Sequence, residues 1–217
     1  MSRDESRSEP PVGLSKADRD AIIQRYAKRF EEFGVDLKTL DVGQHYDAQH
    51  VVHASIGDLN GKTLLDIGCG LGHYYEYLRA RGIAVDYIGY DFMAPFIEAD
   101  RERFPEATFE VRDVTNEEIV HAVDYVVMCQ VFNNRYADCD NTEVVKAVIR
   151  KAFAAARIGI SIDMLSSYVN FRVPEMHYFS PEEMFSFGRT LTPFIRLRHD
   201  YAPRHFTLFL YKDAVRT

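Results

Sequence analysis

The sequence predicts a doubly wound α/β fold. We expect a mostly parallel, seven-stranded sheet with helices on both faces, an antiparallel pair of strands near the C-terminus and a helical cap near the N-terminus. Apolar runs with strand character alternate with helical segments from about residue 62 onward, which is typical of parallel sheets. The two final β-rich runs, FIRLRHD and HFTLFLYK, are joined by a hairpin-length connection. A glycine-rich turn also follows the first strand, at the edge where open α/β sheets bind ligands.

Composition and charge limit the classes of protein that the chain can represent. Its 217 residues suffice for one substantial core, and a net charge of -7 disfavours a nucleic-acid surface or an anionic membrane surface. No apolar run approaches the roughly 18 residues of a spanning helix. The three cysteines are odd in number and lack C-x-x-C spacing, so we expect neither a disulfide framework nor a structural zinc site. Reduced thiols indicate a cytoplasmic protein, and its oligomeric state stays open between monomer and homodimer.

The N-terminal quarter is predicted to form a cap. Residues 1–14 are polar and interrupted by proline, which favours disorder. Residues 15–58 are predicted to be helical, because Ser15 with Asp18 forms an N-cap pattern and Gly34 supplies a stop. A second helix is expected over about residues 44–56. The main domain then spans 59–217 and contains an insert over about 165–190.

Helical and turn patterns separate the predicted strands of the main domain. TLLDIG, AVDYIGYD, ATFEVRDV, VDYVVMCQV and IGISIDML are the five expected parallel strands, and helical patterns follow the first, second and fourth of them. After the fifth strand, SPEEMFSFG begins a helix, since Ser180 is a typical N-cap, Pro181 suits the first helical position and Glu183 completes a capping box. The two β-rich runs then close the sheet.

The glycine turn runs Asp66-Ile-Gly68-Cys-Gly70-Leu-Gly72-His73. A dinucleotide fingerprint counted from Gly68 requires glycine where His73 stands, and the G-K-[ST] ending of a P-loop is also missing. Asp66 would repel a phosphate, whereas it suits a ligand that carries a cationic group.

Four motifs in order, LLDIGCGLG, YIGYDFM, FEVRDVT and YVVMCQVFNN, resemble the class I S-adenosylmethionine (SAM)-dependent methyltransferases over residues 60–165. The resemblance implies that SAM is the cofactor, that Asp66, Gly68 and Gly70 wrap its methionine part, and that Cys69 contributes its backbone amide. It places Asp91 on the ribose hydroxyls with Phe92 and Met93 beside the adenine. Asp113 would hold the adenine amino group with Val114 against the ring, and Cys129 and Gln130 would lie near the methyl group.

A small-molecule acceptor is expected, because the N/D-P-P-Y/F motif of nucleobase amino methylation is replaced by CQVFNNR. Segment 166–179 lies at the ligand-facing edge and mixes aromatic and polar residues, so it is a candidate pocket wall. Its His177 is the candidate general base. The candidate acceptor-binding residues are Tyr26, His73, Asn133, Tyr168, Arg172 and Tyr178.

Two questions stay open at this point. Some relatives bind magnesium through acids after the fourth strand and at the end of the fifth, where this chain has Asp138, Asp140, Asn141 and Asp163; we expect a helix cap there and no metal. The alternative to catalysis is a SAM-binding sensor or scaffold. An NAD(P)-dependent oxidoreductase is disfavoured by His73 and by the lack of a Y-x-x-x-K pair.

Overall fold

The computed structural model describes residues 12–43 and 45–215 and confirms the predicted alternation of strands and helices. Within these residues the strands are Lys62–Ile67 (β1), Val85–Asp91 (β2), Thr108–Val111 (β3), Val123–Met128 (β4), Ala156–Leu165 (β5), Ile195–Arg198 (β6) and His205–Tyr211 (β7). The α-helices are Lys16–Phe33 (α1), Tyr46–Ala54 (α2), His73–Ala80 (α3), Ala94–Arg103 (α4), Asn141–Ala155 (α5) and Pro181–Arg189 (α6), and Leu37–Leu40 is a short 3-10 helix.

The seven strands form one sheet in the order β3-β2-β1-β4-β5-β7-β6. Strands β1 to β5 are parallel to one another, whereas β7 is antiparallel to both β5 and β6. The predicted antiparallel closing pair is therefore confirmed, with the last strand inserted inside the sheet. Chain order reverses between β1 and β4, and in open sheets a crevice forms beyond the carboxyl ends of the strands at such a reversal.

Helices cover both faces of the sheet, and the core divides accordingly. One cluster packs α5 and α6 against the sheet through residues such as Val148 and Met184. The other packs α2, α3 and α4 against the opposite face through Val52, Leu78 and Ile97. Strands covered on both sides are near-continuous apolar runs, which explains the composition of β1 and β4.

Local signals set most helix ends as predicted. The Ser15 hydroxyl accepts a hydrogen bond from the Asp18 amide at 3.0 Å, and Gly34 ends α1 with φ of 60°. At α6, Ser180 accepts from the Glu183 amide at 3.1 Å, but the Glu183 carboxylate pairs with Lys146, so the predicted capping box is only half formed. In the described part of the chain, none of the helices has the length and apolarity needed to cross a bilayer.

The N-terminal cap divides into two parts with different packing. Residues 1–11 of the predicted disordered segment lie outside the described residues, whereas Leu14 is buried and donates its amide to the Thr115 hydroxyl at 3.3 Å. Helix α1 and the 3-10 helix pack over the carboxyl edge of the sheet. Helix α2 instead supplies Val52 to the main core. The cap is thus a cover, α1 with the 3-10 helix, followed by a helix integral to the core.

Candidate active site

A cavity lies at the carboxyl edge of the parallel strands, the usual place for a ligand site in an open α/β sheet. Its floor is built by the glycine turn after β1, the ends of β2 and β4 and the segment after β3, and α1 with the 3-10 helix contributes Ile22, Tyr26 and Leu40. The predicted cofactor residues that line it are Gly68, Cys69, Gly70, Asp91, Phe92, Met93, Asp113, Val114, Cys129 and Gln130. The sheet topology therefore brings together ten of the eleven predicted positions.

The glycine turn is tight because its backbone is pinned to β2. The amides of Gly68 and Cys69 both donate to the Tyr90 carbonyl, at 2.7 and 3.0 Å. Gly68 and Gly70 adopt φ of 71° and 59°, which side chains disfavour, and a Cβ on Gly68 would lie 2.7 Å from Val131. The Cys69 amide thus already donates to the Tyr90 carbonyl, and this hydrogen bond competes with the predicted contact between the amide and the cofactor. Burial raises the pKa of its thiol well above the usual value.

Asp91 ends β2 with its carboxylate fixed at the cavity wall. One oxygen accepts from the Gly70 amide at 3.1 Å and the other from the Met93 amide at 2.8 Å. Burial raises the pKa of Asp91 to about 6, although these backbone hydrogen bonds oppose the rise. The carboxylate thus links the glycine turn to the start of α4 and keeps lone pairs for a ligand hydroxyl.

Asp66 does not line the cavity, in contrast to its predicted place beside the ligand. It is buried beneath the turn, where one oxygen accepts from the Tyr87 hydroxyl at 2.5 Å. The other oxygen has no hydrogen-bond partner among the described residues. Burial raises the pKa of this carboxyl to about 7, so its charge depends on what occupies the neighbouring cavity.

Asp113 lines the cavity, but its own loop uses its carboxylate. One oxygen accepts from the amide and the hydroxyl of Thr115, at 3.1 and 2.5 Å, and the other accepts from Asn116 at 3.0 Å. Arg19 of α1 lies 3.4 Å from that second oxygen. Asp113 therefore ties the cover to the segment after β3, in addition to any contact with the adenine.

Aromatic packing closes the cover over the end of β2. The Phe96 ring lies 6.3 Å from the Tyr26 ring and 5.3 Å from the Phe30 ring. Arg25 donates to the Asn134 side chain at 2.8 Å and to Asp41 at 2.6 Å, which joins α1 to the loop after β4. Tyr26 therefore faces the cavity from the cover, the position expected from the sequence.

The turn after β4 is held in an unusual conformation. Gln130 adopts φ of 57°, which is rare outside glycine. Its amide donates to the buried Asp163 carboxylate at 2.5 Å, and its side chain donates to Gln49 of α2. Burial opposes ionisation of Asp163, yet its interactions with His205 and His53 outweigh it and hold the pKa well below its usual range. Burial also raises the pKa of the neighbouring Cys129 thiol.

The predicted acceptor wall at 166–179 does not reach the cavity. Tyr168 is 61% exposed and its hydroxyl donates to Glu182. Tyr178 accepts the Val173 amide at 2.9 Å, and the Arg172 guanidinium lies over the Tyr178 ring. The segment lies at the correct edge of the sheet, but its side chains pair with one another and with α6 rather than with the cavity.

His177, Asn133 and His73 are also placed outside the cavity wall. His177 packs edge-on against Phe179 at 4.5 Å, and its amide donates to the Asn133 carbonyl at 2.9 Å. The Asn133 side chain accepts the Leu165 amide at 3.3 Å, while its neighbour Asn134 lines the cavity instead. His73 begins α3 as predicted and lies on the far side of Tyr46. The geometry thus offers no support for His177 as a base.

The acids considered as a magnesium set do not converge. Asp140 accepts the Thr142 and Glu143 amides at 2.8 and 3.1 Å, which confirms the predicted cap of α5. Asn141 instead donates its side chain to the Asn134 carbonyl at 2.7 Å, and Asp163 is buried under the turn after β4.

Sequence reasoning missed the contribution of α2. Tyr46, Gln49, His50 and His53 recur at helical spacing on its inward face, and Tyr46 lines the cavity. A polar and aromatic stripe on the buried side of a helix was the signal available in YDAQHVVHA.

The comparisons with known proteins agree with this geometry. Residues 65–159 match a family model described as a methyltransferase domain. A Mycobacterium tuberculosis protein provisionally named a methyltransferase is 30% identical over 157 residues, which cover 70% of this chain and 94% of that protein. The chain belongs to the SAM-dependent methyltransferases.

Solved structures of other methyltransferases share the fold of this one. DhpI in its complex with S-adenosylhomocysteine (SAH) has a TM-score of 0.67 at 14% identity and covers 94% of this chain and 100% of its own. Magnesium protoporphyrin IX methyltransferase from Synechocystis, with bound SAH, has a TM-score of 0.63 at 14% identity and covers 89% and 94%. This methyltransferase is therefore of class I, and it uses SAM as methyl donor.

The residues of the cavity fit SAM. The left-handed conformations at Gly68 and Gly70 keep side chains away from the backbone that a ligand must approach. Asp91 presents a fixed carboxylate to the cavity, and Asp66 has a buried oxygen without a partner beneath it. The ribose of an adenosyl group needs a carboxylate such as that of Asp91. A cationic amino-acid moiety favours a nearby carboxylate such as that of Asp66.

Proposed function

We propose that this methyltransferase transfers the methyl group of SAM to a small-molecule acceptor, which binds between the cover and the turn after β4. The observation that carries the proposal is the closure of the cavity by α1 and the 3-10 helix, whose Tyr26 and Leu40 line it. A cavity that the cover closes in this way favours a small acceptor beside the cofactor over a folded macromolecular substrate. The net charge of -7 also disfavours nucleic acid.

In this proposal the cofactor lies along the ends of β1, β2 and β3. Asp91 accepts the ribose hydroxyls, Phe92 and Met93 contact the adenine from one side and Val114 from the other. Asp113 orients the loop that carries Val114, since Thr115 and Asn116 bind its carboxylate. Gly68 and Gly70 leave room for the methionine part above Asp66, as the sequence predicts.

The acceptor is proposed to face Tyr46, Gln130 and Asn134, which line the cavity next to Cys129. When bound, SAM supplies a methyl group on a sulfonium, which is already activated, so that positioning is the main task of the protein. Burial raises the pKa of the Tyr26 and Tyr46 phenols, so both are donors rather than bases. Among the described residues, no histidine, lysine or glutamate lines the cavity.

For compartment and assembly we keep the sequence-based expectations as proposals. The three cysteines Cys69, Cys129 and Cys139 are unpaired, which supports the proposal of a reducing, cytoplasmic environment. We keep monomer and homodimer as the alternatives for assembly.

Calorimetry with SAH tests the cofactor site. Asp91→Ala should weaken SAH binding at least tenfold, because it removes a carboxylate that accepts charge-assisted hydrogen bonds worth about 1.5–3 kcal/mol. Asp86→Ala is the matched control, since Asp86 is an exposed residue of the same strand. Equal affinities in the two variants would contradict the assignment of Asp91.

A panel of candidate acceptors with isotopically labelled SAM tests the transfer itself. Incorporation of the labelled methyl into a small metabolite, with stoichiometric SAH, is the expected result. SAH binding without methylation of any metabolite, together with methylation of a protein or of RNA, would refute the small-molecule assignment.

A further inference from the structure

A cluster of three metal-ligating side chains lies directly behind the cavity wall. His53 of α2, Cys129 at the end of β4 and Asp163 of β5 place their nitrogen, sulfur and oxygen atoms within 4.8 Å of one another. His53 and Asp163 are completely buried, whereas Cys129 also lines the cavity. The cluster therefore adjoins the place proposed for the transferred methyl group.

The His53 ring shows that this cluster is incomplete as a hydrogen-bonded network. Its Nδ1 lies 2.7 Å from the Ser161 hydroxyl, but its buried Nε2 has no hydrogen-bond partner among the described residues. The Asp163 Oδ1 atom lies 3.5 Å from Nε2, which exceeds the roughly 2.7–3.2 Å of N–H···O hydrogen bonds. It matches the edge of about 3.4 Å between two tetrahedral ligands that each lie about 2.1 Å from a zinc ion.

We propose that His53, Cys129 and Asp163 form a binding site for a divalent cation of the zinc class. An imidazole, a thiolate and a carboxylate are the ligands that zinc takes in proteins, whereas magnesium and calcium take oxygen ligands. Three protein ligands leave a fourth position open, as in catalytic rather than structural zinc sites. The proposal departs from the sequence-based expectation of no metal, which considered Asp163 together with Asp138, Asp140 and Asn141 as magnesium ligands.

Surrounding residues orient the ligands as metal sites require. The Ser161 hydroxyl can accept the Nδ1 proton of His53, which leaves Nε2 with its lone pair toward the cluster. Asp163 is fixed by the Gln130 amide at 2.5 Å and by Gln49 Nε2 at 2.7 Å. His205 Nδ1 is 3.2 Å from the same carboxylate, so the charge of Asp163 is shared with a second histidine.

A cation held by the cluster would lie next to the cavity, because its ligand Cys129 belongs to the cavity wall. This role rests on the proposed function. A cation bound there would lower the pKa of an acceptor hydroxyl or thiol beside it, and the proton of that acceptor would pass to solvent. Its electron pair then forms the bond to the methyl carbon while the methyl–sulfur bond of SAM breaks, which leaves the methylated acceptor and neutral SAH.

Metal analysis of the untagged full-length protein tests the site without reference to activity. After dialysis against zinc chloride and removal of loose metal, we expect about one equivalent of zinc per chain by mass spectrometry. Cobalt chloride titrated into the zinc-free protein should give a thiolate-to-cobalt charge-transfer band. Cys129→Ser, which is nearly isosteric, should abolish the band, and His53→Gln should weaken cobalt binding at least tenfold.

His50→Gln is the matched control, because His50 is buried on the same helix with an unpartnered Nε2 but lies outside the cluster. It should keep the zinc content and the band. Wild-type protein that retains no zinc and gives no band would overturn the proposal without need of any variant, and so would a band that survives Cys129→Ser.

Two further outcomes separate this proposal from the proposed function. Zinc-free protein that binds SAH but methylates the acceptor only after zinc is restored supports both. Zinc-free protein that methylates the acceptor at an unchanged rate refutes the role of the cation and leaves the small-molecule methyltransferase assignment intact.

Discussion

The ionisation of two buried carboxylates at the glycine turn, Asp66 and Asp91, makes cofactor binding sensitive to pH. Burial raises the pKa of Asp91 to about 6 and that of Asp66 to about 7, so both are partly protonated in mildly acidic solution. Ribose hydroxyls and a cationic amino-acid moiety both favour the ionised carboxylates. A ligand that binds the ionised form is bound more tightly as the pH rises through these values.

We therefore expect SAH affinity to be at least tenfold weaker at pH 5 than at pH 7.5, since about a tenth of a carboxyl with a pKa near 6 is ionised at pH 5 and protonation of Asp66 adds to the loss. Calorimetry across this range measures the effect. Asp66→Asn should make the dependence shallower and leave the contribution of Asp91, which lies mainly below pH 6. A wild-type affinity that is constant from pH 5 to 7.5 would show that SAH binding does not depend on the ionisation of either carboxylate.

The same residues show what the sequence could predict. Asp91 and the glycine turn follow from local spacing, because adjacent parallel strands bring their carboxyl ends to one edge. Tyr46, Gln49 and His53 could not be assigned in this way, since their role depends on how α2 packs against β5. The position of their loop could not show the contacts of Tyr168 and Tyr178. The Tyr168 hydroxyl binds Glu182 of α6, and the Tyr178 hydroxyl binds the Val173 amide of its own segment.

At the scale of elements, α1 differs from the other helices in how it is attached. Its apolar residues contact the cavity rim rather than the main core, and its polar contacts cross to two separate loops, the one after β3 and the one after β4. Asp18 accepts the Ala137 and Asp138 amides at 2.6 and 3.0 Å, Arg19 approaches Asp113, and Arg25 donates to Asn134. An element that is held mainly by rim contacts can detach at a smaller free-energy cost than a core helix.

Arg25→Ala should therefore accelerate SAH release while the free energy of unfolding changes little. Loss of the hydrogen bond to Asn134, which joins the cover to the loop after β4, corresponds to roughly 0.5–1.5 kcal/mol, or about a two- to tenfold faster dissociation. Stopped-flow displacement of SAH measures the rate. Lys28→Ala is the control, as Lys28 is exposed on the same helix; equal rates in both variants would argue against a role of α1 in retaining the ligand.

For the whole molecule, the two parts of the cap have different consequences for stability. The described residues up to Asp41 contribute α1 and the 3-10 helix, which pack over the cavity, whereas α2 and the following turn contribute Val52, Ile56 and Leu59 to the main core. Complete burial of an aliphatic side chain is worth about 1.5–3 kcal/mol, so removal of these three would cost a large part of the 5–15 kcal/mol that typical domains possess. The boundary between cover and core thus lies near residue 42, inside the predicted cap of 15–58.

Two truncations test this boundary. A chain that begins at Val42 should keep a cooperative thermal transition, because every strand and α2 to α6 are retained, but it should bind SAH much more weakly, since Tyr26 and Leu40 no longer close the cavity. A chain that begins at Leu59 should lose the cooperative transition, because it lacks α2 and exposes the sheet face that α2 covers. Circular dichroism melting and calorimetry separate the two effects. Cooperative unfolding of the shorter chain would mean that α2 belongs to the cover and not to the core.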